Sequence, residues 1–142
     1  VPDFDTLNSY FGAGNEIVGY IATLAAPGRP TLRPVSFFLA GRKICFCAGA
    51  DNAKIKQIEK NPCVEVCLPV NRGARQGYYR LAGRADIVSA PGTRKRILRH
   101  VPYNIEDYWD GPDDPRLAVV VLSVKSSRYL EPGEPAESDV KL

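Results

Sequence analysis

A chain of 142 residues has the length of one domain and can bury a core without covalent staples. Apolar residues at 44% and charged residues at 25% describe an ordinary water-soluble domain, and a net charge of +3 falls far short of the dense basic face of a nucleic-acid binder. No apolar run approaches the roughly 20 residues that cross a bilayer, so neither nucleic acid nor membrane is an expected partner.

Leu7, Tyr10 and Phe11 fall at helical spacing and predict a short helix within residues 3–15, ending in a Gly-rich break. The β-branched stretch Ile17 to Ala26 reads as a strand, and Pro27-Gly28-Arg29-Pro30 turns it back into a second strand from Thr31 to Leu39. A turn at residues 40–43 leads to a third strand, Ile44 to Ala48, with Ile44, Phe46 and Ala48 on one face and Cys45 and Cys47 on the other. Three strands joined by short turns form an antiparallel meander.

The pattern changes at Gly49. Asp51 and Asn52 are N-cap residues for a helix over Ala53 to Lys60, which Asn61-Pro62 ends. Cys63 to Leu68 resumes strand alternation. Residues 69–77 hold proline, asparagine, two glycines and two arginines, a composition that predicts a mobile loop in which Arg72 and Arg75 are solvated. Tyr78 to Val88 is a long strand, and Gly83 within it marks a bulge or a close backbone approach. A basic helix is expected over Pro91 to His100, then an irregular connection, then a long strand from Leu117 to Leu130 covered on both faces at its start. The tail, residues 131–142, is expected to fray or to pack on a partner. The whole is a single domain over residues 1–142, mainly β with short helices: a six-stranded antiparallel barrel, whose closure removes exposed edges.

Cysteines stand at 45, 47, 63 and 67. Partners two or four residues apart on extended chain diverge too far for a bridge, and the spacing lacks Cys-x-x-Cys knuckles, so buried reduced thiols are expected rather than a disulfide or a metal site. Reduced thiols make the cytoplasm the expected compartment. His100 is the only histidine and sits in a basic helix, which points to a structural or solvated role.

The chemistry concentrates between Thr31 and Leu68. The first turn of the helix at Ala53 carries unpaired amides and the positive end of a helix dipole, both suited to a phosphate. Lys54 stands in that turn, where the dipole alone disfavours a cation, so an anion belongs nearby. Arg33, one strand away, brings a planar fork to the same anion.

Arg33-Pro34-Val35-Ser36-Phe37, Ile44 to Ala48, Asn52 to Pro62 and Tyr79 to Ala85, in that order, resemble the pyridoxamine 5'-phosphate oxidase-like superfamily. Tyr108-Trp109-Asp110-Gly111 and Asp114-Pro115-Arg116-Leu117 resemble its general-stress-protein branch. The resemblance covers roughly residues 16 to 130. It implies an FMN-binding split β-barrel, a homodimer with two FMN sites between its subunits, and a flavoprotein oxidoreductase of unknown small-molecule substrate. It places Arg33 and Lys54 on the FMN phosphate and Pro34, Val35 and Ser36 along the edge of the isoalloxazine; Asn52, or the backbone amides of residues 49–52, is the expected compensation for polar contacts this sequence lacks. Cys47 and Ala48 match positions that commonly hold an aromatic residue and a hydroxyl residue. Tyr78 falls near a flavin-contacting glutamine.

The sequence departs from that pattern at three points. Ala48 offers no hydroxyl, Ala53 stands where a second phosphate-binding cation is common, and the C-terminal arginine-and-histidine motif that holds pyridoxal phosphate is missing. Each lost contact to a charged group removes about 1.5–3 kcal/mol, and the true oxidase substrate is not expected. A flavin-storing protein with little turnover, or a barrel using deazaflavin or haem, stays open beside the oxidoreductase. Tyr78, Tyr79, Tyr103, Tyr108 and Trp109 are candidates to stack on a ring or line a pocket, or else core and interface aromatics.

Overall fold

The structure is a computed structural model and describes residues 3–142, so the first two positions of the expected domain lie outside the described residues. In chain order it comprises α1 (Phe4–Phe11), β1 (Ile17–Ala26), β2 (Arg29–Ala40), β3 (Lys43–Gly49), α2 (Ala53–Lys60), β4 (Cys63–Arg72), β5 (Arg75–Ile87), α3 (Pro91–Leu98), a 3-10 turn (Ile105–Asp107), β6 (Leu117–Leu130) and β7 (Ser138–Asp139). The sheet runs β3-β2-β1-β4-β5-β6-β7, all antiparallel, and a further β3–β6 pairing closes the first six strands into a barrel. The seventh strand, two residues long, adds to the end of β6.

Alternation along the strands builds two apolar layers. Inward rows such as Ile17, Ile21, Val35, Phe37, Phe46, Ala48, Val66 and Leu81 fill the barrel, together with Phe4, Leu7 and Phe11 of α1 and Ile55 and Ile58 of α2. On the outside of β2, β3 and β6 a second layer joins Phe38, Cys45, Val119 and Val121 to Ile97 and Leu98 of α3 and to Ile105. β6 enters both layers, so Leu117 to Leu122 is buried without interruption, as its unbroken apolar run predicts.

Several sequence expectations need correction. Helix α1 stops at Phe11 because Gly12 takes a positive φ of 64°, and α3 stops at Leu98. Residues 69–77 are not a loop. β4 and β5 pair continuously to Arg72↔Arg75 around a two-residue turn in which Gly73 has φ 62°. Pro69 is tolerated there because β1 pairs with β4 only at Glu65–Cys67, which leaves one edge of the strand free beyond that point. Arg72 is not simply solvated, since it pairs with Glu131 at 2.7 Å and donates to Tyr10 at 2.8 Å. The tail is strapped to its own chain: Glu137 accepts from Tyr78, Arg80 and Arg128, and Val140 and Leu142 pack against the barrel core. Gly83 is both bulge and close approach, for the β5–β6 register shifts at Ala82/Gly83 and an added Cβ would collide with the Ser123 carbonyl oxygen.

Candidate functional site

β2 carries Thr31 and Arg33 on its inward row, β1 places Thr23 opposite Thr31, and α2 lays Gln57 over both. The Arg33 guanidinium donates to Thr23 Oγ1 at 2.5 Å, Thr31 Oγ1 at 2.6 Å and Gln57 Oε1 at 3.2 Å. The fork is thus oriented by neutral oxygens and keeps its full charge. Lys54 stands close enough that its pKa is lowered, first by burial and then by the charge of Arg33. Burial lowers Arg33 as well. Among the described residues neither cation forms an ion pair. Two half-buried cations that repel one another without a carboxylate raise the free energy of the empty site, and an anion between them relieves that cost.

The start of α2 adds donors. Asn52 is the N-cap residue, yet its side chain makes no capping hydrogen bond, and the first turn holds no acidic residue. The Asn52 and Ile55 amides donate to the Gly49 and Asn52 carbonyls, which leaves the Ala53 and Lys54 amides for a ligand. Asn52 folds over Gly49 instead, where a Cβ would come within 2.9 Å of its Nδ2.

Two hollows share Tyr108 and Trp109 in their walls. One, of about 370 Å³, is bounded by Gly49 to Asn52 and Arg116. The other, of about 380 Å³, is bounded by Glu16, Ser36 and Tyr103. The aromatic wall is irregular chain, yet it is firmly held. Asp114, its side chain only 1% exposed, accepts from the Asp110 and Arg116 amides at 2.8 and 2.9 Å and from the Arg116 guanidinium. Those bonds, the Arg116 side chain first, hold its carboxyl far below the usual range. Arg94 of α3 clamps the same segment through the carbonyls of Pro112, Asp114 and Leu117.

Of the sequence-predicted site residues, Arg33, Asn52 and Lys54 gather at the start of α2. Pro34 is exposed on the outer face of β2, and Ser36 on the same face donates to Glu16 at 2.5 Å. Val35 and Ala48 point into the core, leaving only their backbone for a ligand. Cys47 lies against the Tyr103 hydroxyl, and burial pushes its thiol up to about 12. Tyr78 is not brought to this cluster within one chain: it sits on β5, three strands from β2, and its hydroxyl donates to Glu137 at 2.5 Å. Tyr79 is a core residue stacked on Tyr129. His100 is exposed just past α3. No cluster of three His, Cys, Asp or Glu side chains among the described residues is placed to hold a metal ion.

Thr23, Thr31, Gln57 and Glu16 were not signalled by any motif. They converge from separate elements, and the hint available was a polar residue on the inward row of an otherwise apolar strand, as at Thr23.

The family model for pyridoxamine 5'-phosphate oxidase matches residues 14–131. The chain belongs to that family. General stress protein 26 of Bacillus subtilis is 29% identical over 126 residues, spanning 88% of this chain and 87% of that protein. Among solved structures, a pyridoxamine 5'-phosphate oxidase-related, FMN binding protein from Nostoc punctiforme superposes with a TM-score of 0.69 at 18% identity, covering 93% of this chain and 82% of the other. A heme binding protein from Mycobacterium smegmatis gives 0.74 at 20% identity, covering 98% of this chain and 59% of that one. These two likenesses show the split-barrel fold. The Tyr108–Leu117 segment that resembles the stress-protein branch is the one Asp114 and Arg94 fix in place.

Proposed function

We propose that this chain is an FMN-binding flavoprotein that works as a homodimer in the cytoplasm and transfers electrons between the flavin and a small molecule. The carrying observation is the pair Arg33 and Lys54, repelling one another without a carboxylate at an uncapped helix start. A phosphate monoester supplies the missing negative charge and accepts from the first-turn amides. The residues fit the phosphate end of FMN, and Pro34 and Ser36 offer an outer strand face beside it. Bound there, FMN would supply the redox chemistry, while the protein orients the phosphate and shapes the aromatic cleft.

Dimerisation is supported by the outer face of β1 and β2, where Val18, Tyr20 and Leu32 are 57%, 43% and 69% exposed. A second copy covering that face would bury them and bring further side chains toward the flavin.

The test is the spectrum and affinity of the purified protein. A flavin absorbance released as FMN on denaturation, with FMN bound much more tightly than riboflavin, is the expected result. Arg33→Ala and Lys54→Ala should each weaken FMN and leave riboflavin unchanged. Unaltered FMN affinity in both variants sinks the phosphate site. A haem Soret band or a deazaflavin spectrum in its place replaces the cofactor assignment. Bleaching by NADH or NADPH followed by reoxidation separates an enzyme from a storage protein.

A further inference from the structure

Phosphate recognition does not account for the hollow bounded by Glu16, Ser36, Tyr103, Tyr108 and Trp109. Three of those five residues are aromatic and touch in sequence. Tyr103 meets Tyr108 edge-on at 5.9 Å between ring centres, and Tyr108 meets Trp109 at 5.6 Å. Within one chain Tyr108 is 68% exposed, leaving its ring open to the hollow. Facing the aromatic wall is a carboxylate. Glu16 accepts from Ser36 Oγ and, among the described residues, has no cationic partner.

That carboxylate is deliberately placed. The residue before it, Asn15, is the only non-glycine among the described residues with a positive φ, at 50°. Its side chain donates to the Leu39 and His100 carbonyls, both at 2.9 Å, and accepts from the Leu39 amide at 3.1 Å. Three bonds pin a costly backbone conformation to β2 and to the end of α3, and Glu16 inherits that fixed geometry. Aromatic faces attract cations, and an unpaired carboxylate forms charge-assisted hydrogen bonds to N–H groups. A volume of about 380 Å³ suits a single-ring molecule.

We infer that this hollow is a binding site for a small aromatic cation, its ring against Tyr108 and Trp109 and its amine or amidine against Glu16. As the subsite for the flavin's substrate the assignment rests on the flavin reading; as a binding site it stands apart from it. Anionic arenes are disfavoured by the same carboxylate.

Trp109 is the only tryptophan in the chain, so its fluorescence reports on the site directly. The 142-residue chain is titrated with benzamidine, with neutral benzamide and with anionic benzoate. Benzamidine is expected to change the emission saturably, with benzamide about tenfold weaker and benzoate weaker still. Glu16→Gln keeps an acceptor for Ser36 and should bring benzamidine down to the affinity of benzamide. Tyr108→Ala should weaken benzamidine and benzamide together. Equal affinity for benzamidine and benzoate, unchanged benzamidine binding by Glu16→Gln, or no saturable response overturns the assignment. Displacement of benzamidine by one equivalent of FMN also overturns it, because the hollow would then hold the flavin itself. Failure of the flavin reading looks different: no FMN binding, with the benzamidine response intact.

Discussion

Gln57→Glu puts a carboxylate where the amide oxygen now takes three donors, at 2.5 Å from Thr23, 2.9 Å from Thr31 and 3.2 Å from Arg33. The change is nearly isosteric, so its effect is electrostatic. Unit charges about 4 Å apart attract by about 4 kcal/mol at an effective dielectric of about 20. Arg33 and Lys54 are only half-buried, and solvent screening reduces that to about 1–2 kcal/mol. The new carboxylate occupies the charge the phosphate needs and repels the phosphate as well. FMN affinity should therefore fall roughly tenfold, since about 1.4 kcal/mol is one decade. Riboflavin, which lacks the phosphate, should bind as before, and the ligand-free protein should melt at a slightly higher temperature. Parallel titrations of FMN and riboflavin by quenching of flavin fluorescence measure both. A folded Gln57→Glu protein with unchanged FMN affinity, or one that loses riboflavin equally, refutes the reasoning.

Glu137 gives a pH dependence. Hydrogen bonds from Arg80 first, then Tyr78, and the surrounding arginines depress its carboxyl to about 2 from an ordinary 4.5. A depressed carboxyl stabilises the fold above its unfolded value and loses that contribution as pH falls from about 4.5 towards 2. Hydrogen exchange in residues 138–142 should accelerate through that window, and Glu137→Gln should remove the dependence; an unaltered profile would count against the strap. Gly83→Ala drives a Cβ into the Ser123 carbonyl at the bulge and should cost about 1–3 kcal/mol in urea unfolding, whereas Gly92→Ala, with open space around it, should cost far less. Iodoacetamide should label exposed Cys63 in the native protein and leave Cys45 and Cys47, whose thiols burial pushes up to about 12, until unfolding; equal labelling rates by peptide mass analysis would contradict that burial.

Strand order was legible because period-two alternation and glycine-proline turns are local signals, and the buried run at Leu117 to Leu122 announced a strand covered twice. The β4–β5 hairpin was not. Its composition is that of a loop, and what keeps it extended is ladder pairing to Arg72↔Arg75 together with the Arg72–Glu131 pair. The tail was misread for the same reason, since polar residues that look unstructured find arginines on β5 and β6. At the site, Lys54 was legible as a cation at the wrong end of a helix. Gln57 was not, because its importance comes from Thr23 and Thr31 on two strands far away in sequence. Glu16 was hidden by its neighbours Gly12 to Asn15, which read as a plain break rather than as a fixed bend.

The Arg94 clamp has an evolutionary consequence. It grips Pro112, Asp114 and Leu117 by their carbonyl oxygens, a feature every amino acid possesses. A support that reads backbone alone is indifferent to side-chain identity. The exposed ring at Tyr108 can therefore be exchanged without dismantling the wall behind it. Selection can retune what the cleft admits by single substitutions, while the barrel and the Arg33–Lys54 cluster carry on unchanged.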